Sequence, residues 1–343
     1  MDANTSDADA VFNAQRDAYI EILKPAFLPD APFRDDVLRY FASLFRVLGN
    51  EDKGWDPYGE SKGTLNDLNR LMKLSLPEDK FPDADATVWR LGLLLNCHIV
   101  EMDAPYEVLT NLLRYRLGKG YSPSPFFLFL TEKEKKGFAK RGISTARKIE
   151  IIKDLSQEAG LSIGGIFDEF YRSELRNAVQ HSDFILAEDK FRCRGGISGH
   201  RAFAYTYEDL DALLTKAKAY IAAYFQIESI ARQVWGLQVN RAVAYDPLNK
   251  GLIEILADDR GLMCGFAVHW PNGSTSQYKR GADGVDMLNC MLDMKGAGLS
   301  LFVGSYARNP GEFSPLVEND AKPSYRPLSD GRVPEWPGDN FAW

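Results

Sequence analysis

Glu174, Asn177 and His181 are spaced i, i+3 and i+7 along a stretch whose apolar residues recur with helical period, so the three polar side chains line up on one side of a helix. Turned at about 100° per residue, that helix carries Phe167, Phe170, Tyr171, Leu175 and Ala178 on one apolar stripe, with the polar line on its flank. An imidazole exchanges protons near neutral pH, so His181 beside a carboxylate and an amide is suited to general acid–base chemistry. Arg176 adds a permanent positive charge but sits about 140° around from His181. For both to serve one site, its long arm must wrap back or the helix must fray near His181. The other account is an intrahelical polar ladder, since half-buried polar groups need partners and these three can supply them to one another.

The helix holding these residues is expected over 163–182, preceded by helices over 126–140 and 145–158. Upstream, apolar residues at three- and four-residue steps predict helices from Val11 to about Leu74, and a long helical run from Asp85 to Leu117 bent near Pro105. Gly118-Lys119-Gly120 is too short for a phosphate loop and is expected to be a helix-ending turn. After the motif, Lys190–Arg194 and Arg201–Tyr205 alternate like a short β-hairpin. Thr206 and Asp209 then form a capping pair for a helix from Tyr207 to about Gln233. Residues 251–256, 262–268 and 299–303 are expected strands, the first two joined by the turn Asp258-Asp259-Arg260-Gly261. The division expected is a disordered 1–10, a helical region 11–84, a helical domain 85–233, and a small β-containing C-terminal region 234–343 with an extended tail.

Composition is that of an ordinary globular protein, with 45% hydrophobic and 26% charged residues, and a chain of this length can bury a core without disulfides. The start lacks the basic and apolar segments of a signal peptide, and no apolar run approaches a membrane span. A cytoplasmic protein with no membrane association is expected. Cys97, Cys193, Cys264 and Cys290 are far apart, with no CxxC pair, and are expected to be buried reduced thiols. The four histidines do not cluster at ligand spacings, so no metal or other cofactor is expected. His269 is expected to be structural or exposed.

The net charge of −7 argues against a protein that coats nucleic acid, yet charge is unevenly spread. Between Arg114 and Lys153 stand eleven basic residues against three acids. Arg114, Arg116, Lys119, Lys140, Arg141, Arg147 and Lys148 are the candidates for a polyanion-binding footprint; solvated helix faces are the alternative. Tyr115 and Tyr121 could stack on bases or pack in a core.

Arg176-Asn177-x-x-x-His181 resembles the signature of the HEPN superfamily: arginine, a polar residue, then histidine after a gap of four to six. HEPN domains place the motif near the end of a long helix in a small helical bundle, and many follow it with a short strand pair and another helix. The resemblance covers about residues 85–233. It implies a mainly α fold, a HEPN-like helical bundle with a short β-hairpin, to which a small C-terminal α+β region is added. One departure is Asp183, where members paired with a nucleotidyltransferase often carry tyrosine.

The resemblance further implies metal-independent RNA cleavage, in which the ribose 2′-OH attacks the adjacent phosphate to leave a 2′,3′-cyclic phosphate and a 5′-OH. His181 would be the general base or acid. Arg176 would clamp the phosphate and offset charge in the transition state. Asn177 would orient His181 or bind the phosphate, and Glu174 would set the imidazole tautomer. A reaction needing both an acid and a base implies a homodimer with a composite site, because a two-fold contact at this helix brings two copies of Arg176 and His181 to one cleft. The family's use in bacterial conflict adds the expectation of a toxin or anti-phage effector, with an antitoxin or other regulatory partner. The alternative is a non-catalytic HEPN-like module that binds RNA or a nucleotide, or only dimerises.

Overall fold

The computed structural model describes residues 3–28, 37–46, 57–77, 79–194, 201–239, 242–246, 251–270, 273–281, 284–293, 298–301, 327–328 and 331–333. In chain order the helices are α1 (Ala3–Phe27), α2 (Val37–Phe45), α3 (Pro57–Leu71), α4 (Ala84–Glu101), α5 (Asp103–Arg116), α6 (Glu132–Arg141), α7 (Thr145–Glu158), α8 (Ile163–Phe170), α9 (Ser173–Gln180) and α10 (Tyr207–Gly236), with a 3-10 turn at Pro125–Phe129. The strands are β1 (Phe184–Leu186), β2 (Lys190–Cys193), β3 (Phe203–Thr206), β4 (Ala242–Asp246), β5 (Gly251–Ala257), β6 (Met263–His269), β7 (Thr275–Gly281), β8 (Gly284–Leu288), β9 (Cys290–Asp293) and β10 (Gly298–Leu301). The architecture is mainly α with small antiparallel sheets. Helix α1 begins inside the stretch expected to be disordered, and most of the C-terminal tail lies outside the described residues.

Two compact units make up the chain: 1–23, 57–106 and 139–226 form the first, and 24–56, 107–138 and 227–343 the second. They do not follow the linear boundaries expected at 84/85 and 233/234, because each gathers three separated segments.

In the first unit, Leu93 and Cys97 of α4, Leu175, Ala178 and Val179 of α9, Phe191 and Cys193 of β2, and Leu210, Leu213 and Leu214 of α10 form one buried cluster. Phe191 lies at its middle with 0% exposure, its ring stacked on Phe184 at 5.2 Å. Burying such a ring stabilises by roughly 2–3 kcal/mol. The hairpin expected at 190–205 forms in the register Lys190↔Thr206 to Cys193↔Phe203, and β1 adds a third strand that sequence patterning did not indicate. The cap of α10 forms as expected: Asp209 N–H donates to Thr206 Oγ1 at 3.1 Å, and the Thr206 hydroxyl donates to Asp209 Oδ2 at 2.7 Å.

Helix α4 stops where a proline acts downstream. Pro105 has no N–H to give Glu101 O, and its ring would clash with that carbonyl in a continuous helix. Met102 therefore turns out at φ −65°, ψ 115° and α5 starts afresh. The break precedes Pro105 instead of bending the helix at it, and it leaves Glu101 as the last residue of α4.

The helix expected over 163–182 is two helices. Tyr171 takes φ −76°, ψ 122° and Arg172 φ −132°, ψ 107°. The Arg172 guanidinium donates to Asp168 O and to Tyr171 O, both at 2.9 Å, and so satisfies carbonyls that the end of α8 leaves open. Upstream, Gly164 packs against α7 so closely that a Cβ there would come within 2.8 Å of Lys153 Cα. Its N–H donates to Ser156 Oγ at 3.2 Å.

The second unit holds the five-stranded sheet in the order β4-β5-β6-β7-β8. Its β5–β6 hairpin turns at Asp258–Gly261 as expected, while β4, β7 and β8 are additional to the strands expected. Phe266 stacks between Tyr278 at 6.0 Å and Phe41 at 5.9 Å. Gly118, at φ 69°, closes α5 as the expected helix-ending turn: Lys119 N–H donates to Arg114 O and Gly118 N–H to Tyr115 O. Among the described residues no helix is long and apolar enough to cross a membrane.

Candidate active site

Helix α9 carries Glu174, Arg176 and Asn177, with His181 as its C-cap. Its apolar residues Leu175, Ala178 and Val179 dock into the core of the first unit, which leaves Glu174, Arg176 and Asn177 half-buried at its edge. The helix ends at His181, whose backbone at φ −93°, ψ 2° is the C-cap. Ser182 follows at φ 55°. Asp183 N–H donates to Ala178 O at 2.9 Å and Ser182 N–H to Val179 O at 3.1 Å, the paired bonds of a Schellman cap. His181 N–H still donates to Asn177 O at 2.9 Å, so the helix does not fray before His181, and the cap that follows leaves the residue exposed. Among the described residues the imidazole has no hydrogen-bond partner.

Arg176 and Asn177 are joined: Arg176 Nη1 donates to Asn177 Oδ1 at 2.9 Å. Arg176 Nε donates to Glu101 Oε1 at 2.6 Å, and the Thr145 hydroxyl at the start of α7 donates to the same oxygen at 3.1 Å. A guanidinium has five N–H donors. With two engaged in these contacts, three remain, and the side chain keeps 33% of its exposure. Glu174 turns elsewhere, accepting from Tyr205 Oη at 3.0 Å and from Ser173 Oγ at 3.4 Å, so its carboxylate is not on the imidazole.

Burial pushes the Cys97 thiol up to about 11, against the pull of Arg176 and with Glu101 reinforcing the rise. A thiol so placed is protonated at neutral pH and is not a nucleophile. Burial and the Glu174 charge push Tyr205 up to about 12. Cys97, Cys193 and Cys264 are buried free thiols and Cys290 is half-buried.

The basic candidates divide by role. Arg114 is 7% exposed, donates to Gly120 O at 2.7 Å, and has its charge disfavoured by burial. Lys148 is 7% exposed and paired with Asp103. Arg147 pairs with Glu150 at 2.7 Å on the surface of α7, and Arg116 is exposed, with one donor on Pro25 O at 3.2 Å. Lys119 is half-exposed; the side chains of Lys140 and Arg141 lie outside the described residues. Arg116 and Lys119 belong to the second unit, Arg147 and Lys148 to the first. Tyr121 is 3% exposed, and the Tyr115 ring lies 5.6 Å from that of Tyr40.

Glu101 on Arg176, Thr145 on that Glu101, and Tyr205 on Glu174 leave no sign in the motif's spacing, since 75 residues of chain separate Arg176 from Glu101, 44 separate Glu101 from Thr145, and 31 separate Glu174 from Tyr205. Among the described residues, no group of three or more His, Cys, Asp or Glu side chains is placed to hold a metal. No protein-family model matches the chain, and neither the curated proteins nor the solved structures include a significant match.

Proposed function

We propose that this chain is a metal-independent RNA endonuclease of the HEPN kind, acting in the cytoplasm as a homodimer and serving as a toxin or anti-phage effector under the control of an antitoxin or other regulatory partner. The observation that carries this is the presence of a tethered, half-exposed Arg176 on one short helix and, at the C-cap of that helix, an exposed His181 whose ring is unengaged among the described residues. The three remaining guanidinium donors suffice for a bidentate grip on a phosphate. His181 of one copy takes the 2′-OH proton as the 2′-oxygen bonds to phosphorus. As the bond from phosphorus to the 5′-oxygen breaks, His181 of the second copy returns a proton to that oxygen. Asn177 acts through Arg176. Of the basic residues, Arg116, Lys119 and Arg147 retain the exposure needed to meet an RNA backbone.

The test is incubation of the full chain with mixed RNA in excess chelator, comparing wild type with Arg176→Ala and His181→Ala. Cleavage to cyclic-phosphate ends, lost in both variants, supports the enzyme. A strict monomer by sedimentation at micromolar concentration would leave the single histidine without its second partner. The contact of Arg176 Nε with Glu101 favours a second reading, a non-catalytic HEPN-like module in which Arg176 is structural; RNA or nucleotide binding that survives both substitutions, without cleavage, would select it.

A further inference from the structure

The sheet of the second unit buries an ion-pair-capable couple that the proposed nuclease does not use. Glu254 of β5 is 3% exposed and His269 of β6 is 4% exposed, and His269 Nε2 lies 2.9 Å from Glu254 Oε2. Glu254 stands opposite Ala267, so His269 is its diagonal neighbour on the same face. Gly251 to Ile255 and Met263 to His269 are buried throughout. An apolar pair would fill this space without the cost of desolvating a carboxylate.

Thr275 of β7 is registered directly opposite His269, and its Oγ1 lies 3.4 Å from the other ring nitrogen, Nδ1. The proton order follows from the chemistry. A carboxylate only accepts, so of the two tautomers of a neutral imidazole it selects the one with hydrogen on Nε2 and a lone pair on Nδ1. Thr275 must then donate its hydroxyl proton to Nδ1. Unlike its two partners, Thr275 is only half-buried. Its backbone is held by Asn289 Nδ2, which donates to Thr275 O at 2.7 Å from a residue at φ 49°. Hydroxyl, imidazole and carboxylate thus stand in line, each reaching the next, with the half-buried threonine at the outer end.

We propose that Thr275, His269 and Glu254 form a second reactive site, independent of the motif on α9, that transfers acyl groups from esters. Thr275 Oγ1 bonds to the carbonyl carbon while its proton passes to His269 Nδ1. The bond from that carbon to the alcohol oxygen breaks, and the alcohol leaves with the proton. Water then cleaves the threonyl ester by the same route, releasing the acid. His269 is the base, and Glu254 is a positioning residue that holds its tautomer.

The experiment treats the full chain with a fluorophosphonate, in which Thr275 Oγ1 displaces fluoride from phosphorus, and locates the adduct by intact and peptide mass spectrometry. One adduct is expected, on Thr275. It should vanish in Thr275→Ala, persist in Thr275→Ser, and form at least about 10²-fold more slowly in His269→Ala, with recovery on adding imidazole. Glu254→Asp should label faster than Glu254→Gln. Should His269→Ala fail to fold, the threonine variants, which alter a half-buried side chain, still decide the matter. No adduct, an adduct on Ser274 or Ser276, or equal labelling of Thr275→Ala overturns the proposal and leaves the trio as a buried polar link.

Discussion

Arg176 and Glu101 stand 75 residues apart and meet through a 2.6 Å bond from Nε to Oε1. With Nη1 donating to Asn177, the guanidinium is held at two donors while three stay open, and the proline-induced stop of α4 is what delivers the carboxylate. Losing one charge-assisted bond costs about 1.5–3 kcal/mol where water is excluded. Under the nuclease proposal, Glu101→Gln is expected to slow RNA cleavage by about ten- to a hundredfold. The pair is one-third exposed, so its effect on unfolding should stay below about 1 kcal/mol. Unchanged cleavage with intact folding would remove Glu101 from the site.

His181 is exposed and its ring makes no hydrogen bond among the described residues, so His181→Ala should shift the unfolding free energy by no more than about 0.5 kcal/mol. Under the nuclease proposal, RNA cleavage should nonetheless disappear. Parallel melting curves and RNA gels on one preparation check this, and a strongly destabilised variant would return His181 to a structural role.

Ser182 occupies left-handed backbone at φ 55°, a conformation that costs an L-residue about 1–2 kcal/mol and glycine almost nothing. Since Gly also loses more freedom on folding, Ser182→Gly should stabilise by a net of about 0.5–1 kcal/mol. Ser182→Val should do the reverse. Urea midpoints measure both, and the opposite order would contradict the Schellman cap.

Cys97 and Tyr205 have folded-state values of about 11 and about 12, raised above their ordinary 9.0 and 10.0. Their protonated forms are the ones the fold favours. The stability they contribute is complete below about pH 9 and is lost as pH climbs through 11 and 12. Urea midpoints should fall across that window, and less steeply in Cys97→Ala. A thiol reagent that modifies Cys97 in the native protein at pH 9 would refute the assignment.

Phe191→Ala removes the ring on which the core under α9 closes, and should destabilise by about 3–5 kcal/mol. Calorimetry gives the magnitude. A loss under 1 kcal/mol would mean that the cluster does not hold α9 in place.

Much of the local grammar was legible. The Thr206–Asp209 cap, the Gly118 stop and the Asp258–Gly261 turn depend on neighbours a few residues away, and each formed as its residue types require. The break at Tyr171 was not legible, because neither Gly nor Pro marks it and the apolar spacing runs straight through. A long-armed Arg172 makes it tenable by bonding the open carbonyls of α8. Strands β7 and β8 were not legible because Thr275–Gly281 and Gly284–Leu288 are largely polar or half-exposed and carry no continuous apolar run. The partners of the candidate residues were beyond reach for another reason: Glu101 meets Arg176, and Glu254 meets His269, only through tertiary packing. Glu174 shows the same limit, since helical spacing put it on one line with His181 while the fold gave its carboxylate to Tyr205.

Gly164 does no chemistry, yet it lets α8 lie against α7 at a spacing no other residue permits. Because α9 follows only two residues after α8, whatever displaces α8 carries Arg176 and His181 with it. A bulky substitution at 164 would thus act like a shim under a hinge, misaiming a distant pair of side chains that it never touches. In a mutational scan scored by the proposed RNA cleavage, that missing side chain should stand out alongside Arg176 and His181.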